Sequence, residues 1–314
     1  MARTKKFHPA TATATAKATA LSLAVMLVVS VLSFMWSPPA LAEPTLDRIK
    51  NSGRIVLAHR ESSVPFSYVD AGKPVGYAMD LCAKLAEAVR KKLRMPSLNI
   101  ETLLVTPANR LQVVAEGKAD LECGSTTNNA ERRQTVAFTV PHYVTGARYL
   151  VRADSTLTEL RDFQGKKVVS TKGTTPLKAL NKANTQGLLR IQVLEAADHA
   201  QALDMVDKGD ADGFVMDDVL LYGLVAGHAN PGRFKVVGKY LTIEPLAIML
   251  QKGDPAFKKL VDDEMRRLIF SREAHALHDR WLVQPIPPRK VALNLPMNYL
   301  TRDFWKFPSD SVPD

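Results

Sequence analysis

The chain has 314 residues, a net charge of +10 and only two cysteines. Two cysteines in a chain this long exclude a disulfide framework. The basic balance does not indicate nucleic acid, because no basic run is interleaved with aromatic side chains that would stack on bases; attraction to acidic small molecules, or no specific partner at all, is the better reading.

At the N-terminus, Arg3, Lys5, Lys6 and Lys17 precede an apolar stretch, Leu21 to Met35, followed by Pro38, Pro39 and Ala40-Leu41-Ala42. A positive head, a short hydrophobic middle and a small-x-small end read as a secretory signal peptide, residues 1–42, cleaved after Ala42. An uncleaved membrane anchor is the competing reading, disfavoured because the stretch is shorter than the ~20 residues that span a bilayer. Cleavage removes four basic residues and no acid, leaving 272 residues with a net charge of +6. No second stretch of this kind follows, and the mature length suits two domains better than one.

From residue 53 onward, strands and helices alternate. Arg54–Ala58 reads as a strand that exits into "HRESSVPFSY", and Gly76–Leu93 as a helix with Leu81, Leu85 and Val89 on one stripe. Strand Ile100–Val105 meets Thr106-Pro107, a helix cap followed by proline at the first helical position, which puts Asn109 and Arg110 in the first turn. Strand Asp120–Cys123 runs into the loop Gly124-Ser125-Thr126-Thr127. Strand Lys167–Ser170 runs into "TKGTTP", strand Ile191–Leu194 leads to Asp198-His199, and strand Gly213–Met216 leads to Asp217-Asp218. These βα alternations predict an α/β protein of mostly parallel sheets flanked by helices.

Export permits a Cys82–Cys123 disulfide, but two separate buried thiols are the favoured reading. His275 and His278 lie three apart on a predicted helix with no third ligand spaced to join them, so they read as solvated histidines and no metal site is expected.

In open parallel sheets, ligands bind beyond the carboxyl ends of the strands, where helix N-termini present free N–H groups. The predicted exits carry Arg60, Arg110, Ser125, Thr127, Thr175, His199 and Asp217. Each alone has an ordinary explanation as a helix cap or a solvated charge; their recurrence at six exits marks a ligand site.

The stretches "GRIVLAHRESSVPFSY", "VGYAMDLC", "ECGSTTNNAERR", "KGTT", "DHAQAL", "FVMDD" and "VQPIPPRK" span nearly the whole mature chain. On them the chain resembles the polar amino-acid-binding proteins of bacterial ABC importers, and among these the glutamate/aspartate-binding group. "ECGSTTNNAER" is the specific match; "VGYAMD" and "KGTT" mark the wider superfamily. The resemblance implies a two-lobed, type II periplasmic binding protein fold with two hinge crossovers. Lobe 1 is expected at 43–143 and 246–285, lobe 2 at 147–240, and a C-terminal extension at 286–314 lying over the surface. It also implies a periplasmic monomer that uses no cofactor, binds L-glutamate or L-aspartate and delivers it to an ABC transporter permease.

By the same resemblance, Arg132 grips the α-carboxylate of the ligand with help from Thr127 and Thr175, while Asp217, the Ser125 carbonyl and the Thr127 hydroxyl accept from the ammonium. Arg60, Arg110 and His199 take the distal carboxylate, and Phe66 and Tyr68 either wall the methylene stem or belong to the core. The chain departs from the group in having Pro107 where a serine hydroxyl is expected three residues before Arg110, and proline supplies neither hydroxyl nor N–H. That leaves open another acidic ligand or a lower affinity. Further alternatives are a binder of another polar amino acid, a sensor that feeds a receptor instead of an importer, and a dehydratase-like enzyme on the same fold. The enzyme would need a carboxylic acid of raised pKa at the cleft, and the only glutamates near strand exits are Glu61, Glu122 and Glu195.

Overall fold

A strand buried on both faces needs a near-continuous apolar run, and the two sheets of this protein form around such runs. The computed structural model describes residues 1, 2, 4 and 43–312. The apolar stretch and cleavage site of the predicted signal peptide lie outside the described residues.

Helix α1 (Thr45–Ser52) ends at Gly53 in the left-handed conformation, and β1 (Arg54–His59) follows. A small meander, β2 (Ser62–Ser63), β3 (Ser67–Asp70) and β4 (Lys73–Val75), precedes α2 (Tyr77–Lys92). The predicted stripe of Leu81, Leu85 and Val89 is buried. Next come β5 (Asn99–Leu104), α3 (Arg110–Ala115), β6 (Leu121–Thr127), α4 (Ala130–Arg133), β7 (Val136–Phe138) and β8 (Tyr143–Thr145). The first sheet runs β5-β1-β6-β14-β7, where β14 (Glu244–Gln251) returns from late in the chain and also pairs with β8. β1 is parallel to β5 and β6, and β14 is antiparallel to its neighbours.

The second sheet uses β9 (Ala147–Arg152), β10 (Lys167–Thr171), β11 (Gln192–Ala196), β12 (Gly213–Asp217) and β13 (Phe234–Val237) in the order β11-β10-β12-β9-β13. Helices α5 (Thr175–Gly187), α6 (His199–Lys208) and α7 (Asp218–Gly227) follow β10, β11 and β12. The chain passes between sheets twice, at Gly146 and between Val237 and Glu244. The two passages are stitched together by Leu241 N–H donating to Ala147 O (2.8 Å) and by the pairing of Glu244 with Thr145. Helices α8 (Pro255–Phe270) and α9 (Glu273–His278) close the first layer.

Three expectations change. Strand β6 does not stop at Cys123 but continues through Gly124–Thr127, because Thr126 and Thr127 pair with Ala247 and Leu246 of β14. Cys82 and Cys123 are bonded to each other, not separate thiols; α2 packs on β6 and brings their Cα atoms to 6.1 Å. His275 is half-buried and His278 fully buried rather than solvated: His278 stacks on Tyr143, and His275 meets the Trp305 ring edge-on. No cluster with metal-ligating potential occurs among the described residues.

The C-terminal stretch does more than lie over the surface. After the β15 (Pro285–Ile286) and β16 (Val291–Ala292) pair comes α10 (Tyr299–Phe304). The Thr301 hydroxyl accepts from Val144 N–H (2.9 Å) and Asn298 Nδ2 donates to Val144 O (2.8 Å), satisfying both backbone groups of a residue beside the first passage. Trp305 is buried and donates its indole N–H to Pro141 O.

Candidate functional site

Arg60 leaves the end of β1 with its backbone N–H held by the Ser67 hydroxyl at 2.9 Å, and its side chain turns inward, 1% exposed. Arg110 opens α3. The turn before it is fastened by reciprocal bonds, Thr106 N–H to Asn109 Oδ1 (2.8 Å) and Asn109 N–H to Thr106 Oγ1 (3.3 Å). Thr106 thus acts as the predicted cap, although regular helix begins only at Arg110.

On the second sheet, the Thr174 hydroxyl caps α5 by accepting from Leu177 N–H, so Thr175 and Pro176 form the first turn. Asp198, not His199, caps α6 by accepting from Gln201 N–H at 3.0 Å. That frees the His199 ring, whose Nδ1 lies 2.8 Å from the Thr171 hydroxyl. Asp217 occupies the cap position of α7 but makes no side-chain cap bond, which leaves its carboxylate available.

Seven of the eight predicted site residues line one small cavity, with Arg60, Arg110, Ser125 and Thr127 on the first-sheet side and Thr175, His199 and Asp217 on the second. Arg132 does not line this cavity. It backs it, donating Nη1 to Thr127 O (2.9 Å) and Nη2 to Gly173 O (3.3 Å), and so joins a first-sheet strand to a second-sheet loop. The Thr127 and Thr175 hydroxyls meet across the same gap at 3.1 Å. Phe66 and Tyr68 are not in the wall. The meander folds them into the core, where Phe66 packs edge-on to Tyr143 and Tyr68 against Trp281. The apolar lining comes from Met216, Leu220 and Pro176. Pro107 is also outside the cavity; its carbonyl faces Gly173, where an added Cβ would come within 2.6 Å.

Residues beyond the predicted set also belong here. Glu244, 2% exposed, accepts from the Thr175 and Thr242 hydroxyls, both at 2.7 Å. An acid immediately before proline in an expected hinge was the available signal. Glu122 is fully buried 3.9 Å from Arg110.

Burial, then the neighbouring Arg110, pushes the Arg60 guanidinium down to about 9. Arg132 falls to about 10 for the same two reasons in the same order. Arg110 is lowered by burial, against the opposing pull of Glu122, Asp217 and Glu244. His199 lies well below the ordinary histidine range through burial and the two arginines, and is neutral. Asp217 is raised well above the carboxylate range by burial, Glu244 and Asp218.

Among the described residues, Arg60 Nε and Nη1, Arg110 Nε and Nη1, His199 Nε2 and Asp217 Oδ1 are buried with no hydrogen-bond partner. Buried polar atoms are rarely left unpaired. Here the unpaired nitrogens of Arg60, Arg110 and His199 and the unpaired Asp217 oxygen belong to side chains that line one cavity, which suits a small molecule with an anionic tip and a cationic group.

The chain is 38% identical over 294 residues to the L-glutamate/L-aspartate-binding protein of Pseudomonas aeruginosa, covering 92% of this chain and 97% of that one. It is 39% identical over 272 residues to the glutamate/aspartate import solute-binding protein of Escherichia coli K12, covering 86% and 90%. Both relatives are binding proteins. Among solved structures, the cysteine-binding protein from Campylobacter jejuni superposes with a TM-score of 0.67 at 26% identity, over 76% of this chain and 93% of that one. The P235GK mutant of ArgBP from T. maritima also gives 0.67, at 24% identity over 75% and 98%. These neighbours share the type II periplasmic binding protein fold, the α/β architecture expected from the strand and helix alternation. The model of the bacterial extracellular solute-binding proteins, family 3, matches residues 55–284, and the chain belongs to that family.

Proposed function

We propose that this protein captures an acidic L-amino acid, glutamate or aspartate, in a cleft that closes about a hinge and hands it to the permease of an ABC transporter. The observation that carries this reading is that buried nitrogens of Arg60, Arg110 and His199 and a buried Asp217 oxygen have no hydrogen-bond partner among the described residues and belong to side chains lining one cavity. Three donor side chains exceed what a neutral tip can use, and a second carboxylate uses them. At the other end, Asp217 with the Ser125 carbonyl and Thr127 receives the ammonium, whose charge keeps Asp217 ionised despite burial. Thr127, Thr175 and the N-terminus of α5 receive the α-carboxylate, with the Arg132 guanidinium, which backs the cavity, supplying the matching charge behind them. The protein works as a monomer on the outer side of the inner membrane, exported by cleavage after Ala42. Lobe 1 comprises 43–143 and 246–285, lobe 2 comprises 147–240, and the two passages form the hinge.

Calorimetry on protein freed of bound ligand is expected to give a dissociation constant for glutamate or aspartate at or below roughly micromolar, about −8 kcal/mol. Glutamine and asparagine should bind at least tenfold more weakly. Tightest binding of glutamine or arginine overturns the distal assignment. In the same samples, small-angle scattering should show a smaller radius of gyration with ligand, since only the closed form completes the site.

Closure also predicts a substitution whose effects on stability and on binding differ in sign. Gly223 lies in α7, and a Cβ there would press into the Val64 carbonyl across the cleft. Alanine is the better helix former by about 1 kcal/mol, whereas overpacking a closed contact costs about 1–3 kcal/mol. Gly223→Ala should therefore leave the ligand-free melting temperature equal or higher and weaken glutamate roughly tenfold. A lower melting temperature with unchanged affinity would mean that Val64 and Gly223 stay in contact in the open form.

A further inference from the structure

Glu122 is a carboxylate of 0% exposure that the proposed ligand contacts leave unused. It lies on β6, where its Oε2 accepts from the Thr126 hydroxyl at 2.6 Å. Its Oε1 stands 3.9 Å from Arg110 Nη1 and has no hydrogen-bond partner among the described residues. Gly124 makes this placement possible: a Cβ there would collide with Glu122 Oε1 and come within 3.2 Å of Arg60 Cγ. Glu122 thus lies beneath both arginines of the distal cluster. Its charge is close to theirs, yet Thr126 holds it where it consumes none of their orphan donors.

Buried charges persist only when they are matched. Among the groups assigned to the distal end, two guanidiniums, a neutral His199 and one carboxylate leave a single net positive charge, the complement of one ligand carboxylate; Asp217, Glu244 and Asp198 also act on these arginines, but Asp217 is assigned to the ammonium, Glu244 holds the Thr175 and Thr242 hydroxyls and Asp198 caps α6. We propose that Glu122 is a specificity-determining residue that trims the distal cluster to this single charge while leaving its hydrogen-bond donors free for the ligand. The inference rests on the proposed binding of the distal carboxylate by Arg60 and Arg110.

Two substitutions move selectivity in opposite directions. Glu122→Gln removes the trimming charge, so an amide ligand faces two unmatched cations while a carboxylate still neutralises one; the preference for glutamate over glutamine should widen at least tenfold. Thr126→Val removes the hydroxyl that holds Oε2, so the carboxylate turns to the arginine donors and competes with the ligand; the preference should narrow at least threefold.

The test is calorimetric titration of wild type and both variants with L-glutamate and L-glutamine, together with melting in the absence of ligand. Opposite shifts in the selectivity ratio support the inference. Ratios within threefold of wild type in both variants, with lowered melting temperatures, overturn it and make Glu122 a structural residue only. If Glu122→Gln does not fold, Thr126→Val decides alone: a narrowed ratio supports the inference and an unchanged one overturns it. A wild type with no preference for glutamate refutes the underlying reading of the site, which distinguishes that failure from the failure of the Glu122 role.

Discussion

Arg110→Met is expected to weaken glutamate binding by about 2–5 kcal/mol, roughly 30-fold to several thousand-fold, while affecting glutamine much less. That is the usual cost of truncating one partner of a buried charge pair. Arg110 is 2% exposed and two of its nitrogens have no hydrogen-bond partner among the described residues, so its guanidinium is open to whatever fills the cavity. Methionine keeps the length and removes charge and donors together. An amide tip loses little by this, because it never matched the charge. The substitution also strips Glu122 of its ion pair at 3.9 Å, so a lower melting temperature is expected, and the comparison must be made on folded protein. Arg132→Ala is the control. Arg132 bonds to Thr127 O and Gly173 O on the two sides of the cleft and is assigned to the carboxylate that every amino acid carries, so glutamate and glutamine should weaken alike. Equal losses for both ligands in Arg110→Met would make the protein a general polar amino-acid binder.

The candidate site was legible as a set of residues sharing one cavity because parallel sheets put chemistry at strand ends, and strand ends can be read from apolar runs meeting polar ones. Arg60, Ser125, Thr127, Thr175, His199 and Asp217 all emerged in this way, and Arg110 from the cap signal at Thr106. What the sequence does not carry is the partner of a residue distant along the chain. β6 looked finished at Cys123 because Gly-Ser-Thr-Thr has turn composition; it continues because β14, more than a hundred residues later, supplies a ladder. Phe66 and Tyr68 alternate with polar residues as a cleft wall would, yet the meander turns them onto Tyr143 and Trp281.

Glu244 was missed for a related reason. It follows no strand exit and caps no helix; it matters because the second passage lies beside the first and next to the N-terminus of α5, where Thr175 reaches it. Glu122 was visible, but only as a candidate acid. It lies 3.9 Å from Arg110, with Thr126 holding its other oxygen. That is the setting of a counter-charge.

The Cys82–Cys123 bond has the largest expected effect on stability. Its two ends are 41 residues apart in the chain, and in the chain-entropy model closing such a loop in the unfolded state is worth about 4 kcal/mol. Cys82→Ala/Cys123→Ala should therefore lower the melting temperature by roughly 10 °C. The double variant is the right test, because both sulfurs sit on residues of 0% exposure and a reductant reaches them poorly in the native state. Binding should respond differently. Cys123 lies two residues before Ser125 on β6, but the ladder to β14 holds that strand independently of the bond, and a cross-link that acts on the unfolded chain does not alter the folded cleft. Glutamate affinity measured at 25 °C should stay within threefold of wild type. A melting temperature unchanged in the double variant would return the two cysteines to separate buried thiols. A large loss of affinity in a stable variant would instead mean that the helix α2, through this bond, sets the position of the strand that carries Ser125 and Thr127.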